Sequence, residues 1–290
     1  MPPAARSLIL AILIYGTPSL RGESATTVSD ARPDENGIPV HEVRSPFQAG
    51  VTKIRVLTPD RLEAGKRYPV IYVLPVEALD ERRYGDGLLE VKKKCLHNTA
   101  GAIFVAPTFS HLPWYADHPT VPTIRQESCL LKVVLPYVES HYPAIAEPHG
   151  RLLLGFSKSG WGAYSLLLRH PNQFGRAAAW DAPLMLDQPG KYGSGEIFGT
   201  AENFDKYQVT ALLARHADAV RTGRRFVLLG YGNFRHDHRA AHELMQKLGI
   251  EHDYRDGPRR KHEWSSGWLP DAVELLLQLP TAAHEPRPGS

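Results

Sequence analysis

Gly155-Phe156-Ser157-Lys158-Ser159-Gly160 sets a hydroxyl between small residues, the arrangement that a nucleophile elbow requires. Such an elbow is a strained strand-to-helix turn whose flanks press on neighbouring backbone, so bulk two residues either side of the serine is excluded. Gly155 satisfies the first position, and Ser159 occupies the second, where glycine is usual. Taking Ser159 as nucleophile would instead put Trp161 at the crowded position. Free N–H groups at the start of the following helix would stabilise negative charge near Ser157, with the Lys158 amide as one oxyanion donor. The competing reading is a serine N-cap, a common structural role. A serine nucleophile also needs a general base, which in such a fold follows the last strand. His262, in Lys261-His262-Glu263-Trp264, stands there. The chain has 14 histidines, so position rather than residue type singles it out; His242 and His252 fall inside expected elements.

The elements that must carry these residues alternate. Strands are expected over 38–44, 51–57, 69–74, 102–106, 151–156, 176–180, 225–230 and 252–255. Helices are expected over 123–142, from the elbow through Leu168, and over 210–221, 238–248 and 269–279. Apolar runs such as 69–74 and 151–156 have the signature of strands buried on both faces. Strands separated by helices imply a mostly parallel sheet covered on both sides, an α/β class, in one domain spanning 25–280. The insert 182–224, with Gly-rich loops and one expected helix, is placed to shape a substrate pocket. The tail 281–290, rich in Pro, Gly and charge, is expected to be disordered.

Composition narrows the function classes. With 34 Lys and Arg against 31 Asp and Glu, there is no charge surplus of the kind that draws nucleic acid or an anionic membrane. Arg6, the apolar run Leu8–Tyr15 and small residues at Gly22, Ser24 and Ala25 form a signal-peptide pattern over 1–24. Pro18 and Arg21 interrupt that run before it reaches the length of a membrane span. A secreted or periplasmic protein is expected. Cys95 and Cys129 could pair there, or remain free thiols.

Leu153–Ser157 through Gly162-Ala163, then Leu168–Phe174 with its Arg-His-Pro-x-x-Phe run, resembles the esterase-D-like family of Putative esterases. That group includes feruloyl esterases and secreted mycolyltransferases. Further matches are Tyr68–Leu74, the loop with Trp114 and Tyr115, Leu135–Glu139 before Tyr142-Pro143, and His262-x-Trp264 followed by Trp268. The resemblance implies an α/β-hydrolase fold without a large cap, acting on carboxylic esters with no metal or organic cofactor. Two departures stand out. Where the family has His-Gly after the third strand, this chain reads Leu74-Pro75-Val76-Glu77-Ala78. Pro75 has no N–H, so Val76 or Glu77 must give the second oxyanion donor. Where the family places an Asp after the strand ending at Gly230-Tyr231-Gly232, this chain has Asn233, with Asp237 four residues later. Asp237 is assigned as the acid that orients His262. Its competing role is a helix N-cap; Asp181, after Trp180, is the alternative acid, and Asp256 a third.

The expected activity is that of a secreted serine esterase working through an acyl-enzyme. All five tryptophans lie beside expected active-site loops, and aromatic walls suit sugar rings or aromatic acyl groups. Trp114, Tyr115 and Trp180 are therefore candidate substrate contacts, while Trp161 and Trp268 read as packing. Small-molecule or carbohydrate esters are the expected partners, with neither nucleic acid nor membrane. Other readings are a catalytically silent binding module on the same fold, an acyltransferase, and a metal site from His236, Asp237, His238 and His242. The last lacks the glutamate of a His-Glu-x-x-His element.

Overall fold

A computed structural model describes residues 25–278; the expected signal segment and tail lie outside the described residues. Ten strands form one sheet: β1 (Thr27–Val28), β2 (Arg32–Pro33), β3 (Pro39–Arg44), β4 (Val51–Leu57), β5 (Val70–Val73), β6 (Ile103–Pro107), β7 (Arg151–Phe156), β8 (Arg176–Trp180), β9 (Phe226–Tyr231) and β10 (His252–Arg259). Their order is β1-β3-β4-β6-β5-β7-β8-β9-β10, with β2 also on β3. Pairings among β1, β2, β3, β4 and β6 are antiparallel, and those from β6 through β10 are parallel. This is the α/β-hydrolase arrangement that the sequence led us to expect.

Alternation along the strands divides the core. Val70 and Tyr72 of β5 join the side packed by Leu130–Val138 and by the helix Ser157–Arg169. Ile71 and Val73 face the other side, with Trp264, Trp268 and the helix Leu269–Leu277. Both faces are covered, which explains why the central strands are apolar throughout rather than alternating.

Strand order reverses at β5, which has β6 on one side and β7 on the other. In open α/β sheets a crevice opens at the carboxyl ends of the strands flanking such a reversal. Here those ends are the segment Pro75–Glu77 after β5 and Ser157 after β7. The fold thus sets a concavity where the elbow was expected.

Three local features were not read from the sequence. A helix, Gly87–Lys93, follows β5, and its N-cap Asp86 accepts hydrogen bonds from the Leu88 and Leu89 amides. The expected helix 123–142 runs from Gln126 to His141 and includes a π-helical turn, Leu130–Val134. The insert after β8 holds short helices Gly195–Phe198 and Ala201–Phe204 before Val209–Val220, rather than one helix. Cys95 is exposed and Cys129 buried, and both are free thiols.

Candidate active site

Ser157 sits at the end of β7 with φ +52, a left-handed conformation that L residues other than Asn and Asp seldom adopt. The surroundings hold it there. A Cβ on Gly155 would lie 2.4 Å from the backbone carbon and oxygen of Ser159, so only glycine lets strand and helix meet. Ser159 fits at the usual glycine position because its hydroxyl is employed twice. It accepts from the Phe156 amide at 3.0 Å and donates to the Phe156 carbonyl at 2.9 Å. That hydroxyl is fully buried, which removes Ser159 as a nucleophile.

His262 lies on the loop after β10. Its Nδ1–H donates to Asp181 Oδ2 at 2.6 Å, which leaves Nε2 as the acceptor. Asp181 immediately follows β8, has φ +43 and is fully buried. Burial alone would favour the neutral acid. The His262 hydrogen bond and the amides of Phe234, Gly232 and Asn233 outweigh it, holding this carboxyl below its ordinary range. The Asn233 amide is 2.8 Å from Oδ1 and the Phe234 amide 2.6 Å. Gly232 makes the approach possible, since a Cβ there would stand 2.6 Å from Asp181 Oδ2.

The carboxylate on His262 is therefore that of Asp181, and the assignment of Asp237 is corrected. Asp237 lies in the first turn of the helix Arg235–Lys247 and accepts from the Met185 amide at 3.1 Å. Asp256 is further removed, paired with Arg235 at 2.7 Å. Asn233, at the position the family gives to Asp, takes part through its backbone amide instead.

Ser157, Lys158 and His262 line one cleft of about 430 Å³, together with Glu77, Glu81, Arg83, Tyr84, Leu112, Pro183, Tyr192, Gly193, Asn233 and Phe234. Val76 is buried and Glu77 borders the cleft; neither amide has an acceptor among the described residues, as an oxyanion donor requires. The loop that carries them is anchored by the Tyr115 hydroxyl, which donates to the Pro75 carbonyl at 2.6 Å.

That anchor corrects the expected substrate contacts. Trp114, Tyr115 and Trp180 are all fully buried and none borders the cleft. Trp114 packs edge-on against Trp161 at 5.3 Å, and Tyr115 against Phe109 at 5.5 Å. Trp180 stacks on Trp268, centroids 5.2 Å apart and 3° from parallel. The aromatic wall is instead Tyr84, Tyr192 and Phe234. Tyr192 meets Phe234 edge-on at 5.6 Å, and Tyr84 meets the His262 ring edge-on at 5.3 Å. A Gly-rich insert was legible at Gly190-Lys191-Tyr192-Gly193; that its tyrosine would border the nucleophile was not.

His238, weighed in the sequence only as a metal ligand, takes a different part. It is buried beneath the Asp181 turn and its Nε2 accepts from the Ala182 amide at 2.8 Å. Burial pulls its pKa down to about 4, against the pull of Asp181 and Asp256, so the ring is neutral. His242 instead bonds His252, at 2.7 Å, so the histidines considered for a metal turn to different partners. Among the described residues no group of three or more His, Cys, Asp or Glu side chains is gathered for a metal.

A family model described as Putative esterase matches residues 115–271. Esterase Rv1288 of Mycobacterium tuberculosis (strain ATCC 25618 / H37Rv) is 28% identical over 138 residues, 46% of this chain and 29% of its own length. The chain thus spans less than a third of that relative. Among solved structures, an S-formylglutathione hydrolase from Agrobacterium tumefaciens superposes with a TM-score of 0.66 at 14% identity, over 87% of this chain and 99% of that one. The ferulic acid esterase AmCE1/Fae1A of Anaeromyces mucronatus gives 0.56 at 17% identity, over 89% and 98%.

Proposed function

We propose that this chain, which belongs to the Putative esterase family, is a carboxylic ester hydrolase whose catalytic triad is Ser157, His262 and Asp181. The observation that carries this reading is the 2.6 Å contact between an ionised, buried Asp181 and the imidazole that shares a cleft with a strained Ser157. His262 Nε2 takes the Ser157 proton as the oxygen attacks the ester carbonyl. Asp181 holds the Nδ1–H tautomer and stabilises the imidazolium that forms. The amide of Lys158, with that of Val76 or Glu77, receives the oxyanion; one such donor is worth about 3 kcal/mol of barrier. His262 then protonates the leaving alcohol and activates water against the acyl-enzyme.

Esters with an aromatic acyl group or a carbohydrate alcohol are the substrate class this reading favours. Tyr84, Tyr192 and Phe234 offer flat apolar faces beside Ser157, and one structural neighbour is named a ferulic acid esterase. The pattern over residues 1–24 supports export, and cell fractionation with sequencing of the mature N-terminus tests it. The activity is tested with nitrophenyl, acetyl-sugar and feruloyl esters. Hydrolysis and labelling by a fluorophosphonate should both vanish in Ser157→Ala; activity that survives removes the assignment.

A further inference from the structure

The cleft contains two cations that the hydrolytic chemistry does not use. Lys158, next to the nucleophile, lines the cleft, and so does Arg83, whose charge is near enough to act on the Lys158 ammonium. Arg83 rests 5.3 Å from the Tyr84 ring centroid. Neither the ammonium nor the guanidinium has a carboxylate within ion-pair distance among the described residues.

Two acids, Glu77 and Glu81, border the same space, and neither is within ion-pair distance of these cations. The Glu77 carboxylate accepts the Arg83 and Tyr84 amides at 2.9 and 3.2 Å, one on each oxygen, which directs it toward its own loop. Glu81 is exposed at the rim. Lys158 is half-buried, and burial with the nearby Arg83 pulls its pKa down while Glu77 and Glu81 pull it up from a distance. A partly desolvated ammonium without a counter-ion is costly, and an anion entering with the substrate would offset that cost.

Building on the esterase reading of this cleft, we propose that it selects esters bearing a second, free carboxylate, which Lys158 and Arg83 receive while the scissile carbonyl meets Ser157. Lys158 is then a specificity residue through its side chain, distinct from the role of its amide. The carboxylate can belong to the acyl or to the alcohol portion, and the two are separated by experiment.

The acyl arm compares 4-nitrophenyl hydrogen adipate with its methyl ester. The alcohol arm compares 4-carboxyphenyl hexanoate with the corresponding methyl benzoate ester. A preference of about tenfold or more in kcat/KM for the acid is expected in one arm, the scale of a single charge-assisted contact. Within that arm, Lys158→Met and Arg83→Met should bring the acid-to-neutral ratio toward one, and Lys158→Arg should retain it. Reading a ratio cancels any change that a variant makes to turnover itself. If neither ester turns over, the ratio is read from protection of Ser157 against a fluorophosphonate. A ratio near one in both arms for the native protein, or one unmoved by either Met variant, overturns the proposal and leaves the triad standing. Loss of the triad is a separate outcome, read from hydrolysis that persists in Ser157→Ala.

Discussion

Asp181 and Asp237 lie on two elements that meet near the carboxyl end of β8, the first fully buried and the second half-buried, and their surroundings act on them in opposite directions. Asp181 hangs from the end of a parallel strand into three backbone amides and an imidazole, and its pKa is lowered despite full burial. Asp237 projects from a helix and accepts from the Met185 amide; burial outweighs that bond, its own amide and the nearby His236, and its pKa is raised. A carboxylate is made into a permanent anion by the donors aimed at it, not by its depth. The turn after β9 supplies those donors beside His262, whose ring centroid lies 5.9 Å from that of Phe234.

The sharpest break of that contrast is a pair of isosteric changes. Asp181→Asn should lower kcat by about 10³- to 10⁴-fold, because the amide cannot hold the Nδ1–H tautomer. Asp237→Asn should change kcat by less than about threefold, since Asn can still accept from Met185 and does not meet His262. Steady-state kinetics on one nitrophenyl ester decides; equal losses would dissolve the distinction.

The next test sharpens it through a residue without a side chain. Gly232→Ala puts a methyl group against Asp181 Oδ2, where 2.6 Å is available, and must push the carboxylate from its amides. A fall in kcat of roughly 10- to 100-fold is expected, with KM little changed, because orientation rather than binding is lost. An unchanged kcat would mean that the amide cradle is not what positions the acid.

Stability against pH gives a third, smaller effect. His238 titrates near 4 in the folded protein and near 6.5 unfolded, so the unfolded state binds more protons between these values and stability should rise with pH across that window. The full difference is about 3 kcal/mol. His238→Asn should flatten this slope in denaturant titrations from pH 4 to 7; an unaltered slope would show that the ring is not the group responsible. The smallest effect concerns the raised acid. Ionising Asp237 costs the folded state, so stability due to it declines as pH rises from the unfolded value through the raised folded one. Asp237→Asn is therefore expected to be neutral or stabilising by under about 1 kcal/mol at pH 7, read from the denaturation midpoint.

What the sequence disclosed follows the range over which the physics acts. The central strands β5 to β9 were legible because a strand buried on both faces must be apolar, and the turn at Ser157 because an elbow constrains its immediate neighbours. His262 was legible from chain order. The carboxylate partner of His262 was misassigned because its choice turns on which backbone amides a loop presents. Asn233 and Asp237 are both close in sequence to the right place, whereas Asp181 is brought to it by the β8–β9 pairing. The tryptophans misled for a related reason: proximity to active-site loops in sequence does not say on which side of the sheet surface a ring is buried.

One pairing reaches further. Phe156 and Trp180 are partners in the β7–β8 register, so Ser157 and Asp181 are adjacent left-handed residues on neighbouring strands. The proposed nucleophile and acid thus stand at the ends of paired strands, and the imidazole comes from the loop after β10, set among the rings of Tyr84, Phe156, Trp180 and Phe234. A chain cut before β10 would therefore keep the strand ends that carry Ser157 and Asp181 and lack the imidazole of the proposed triad.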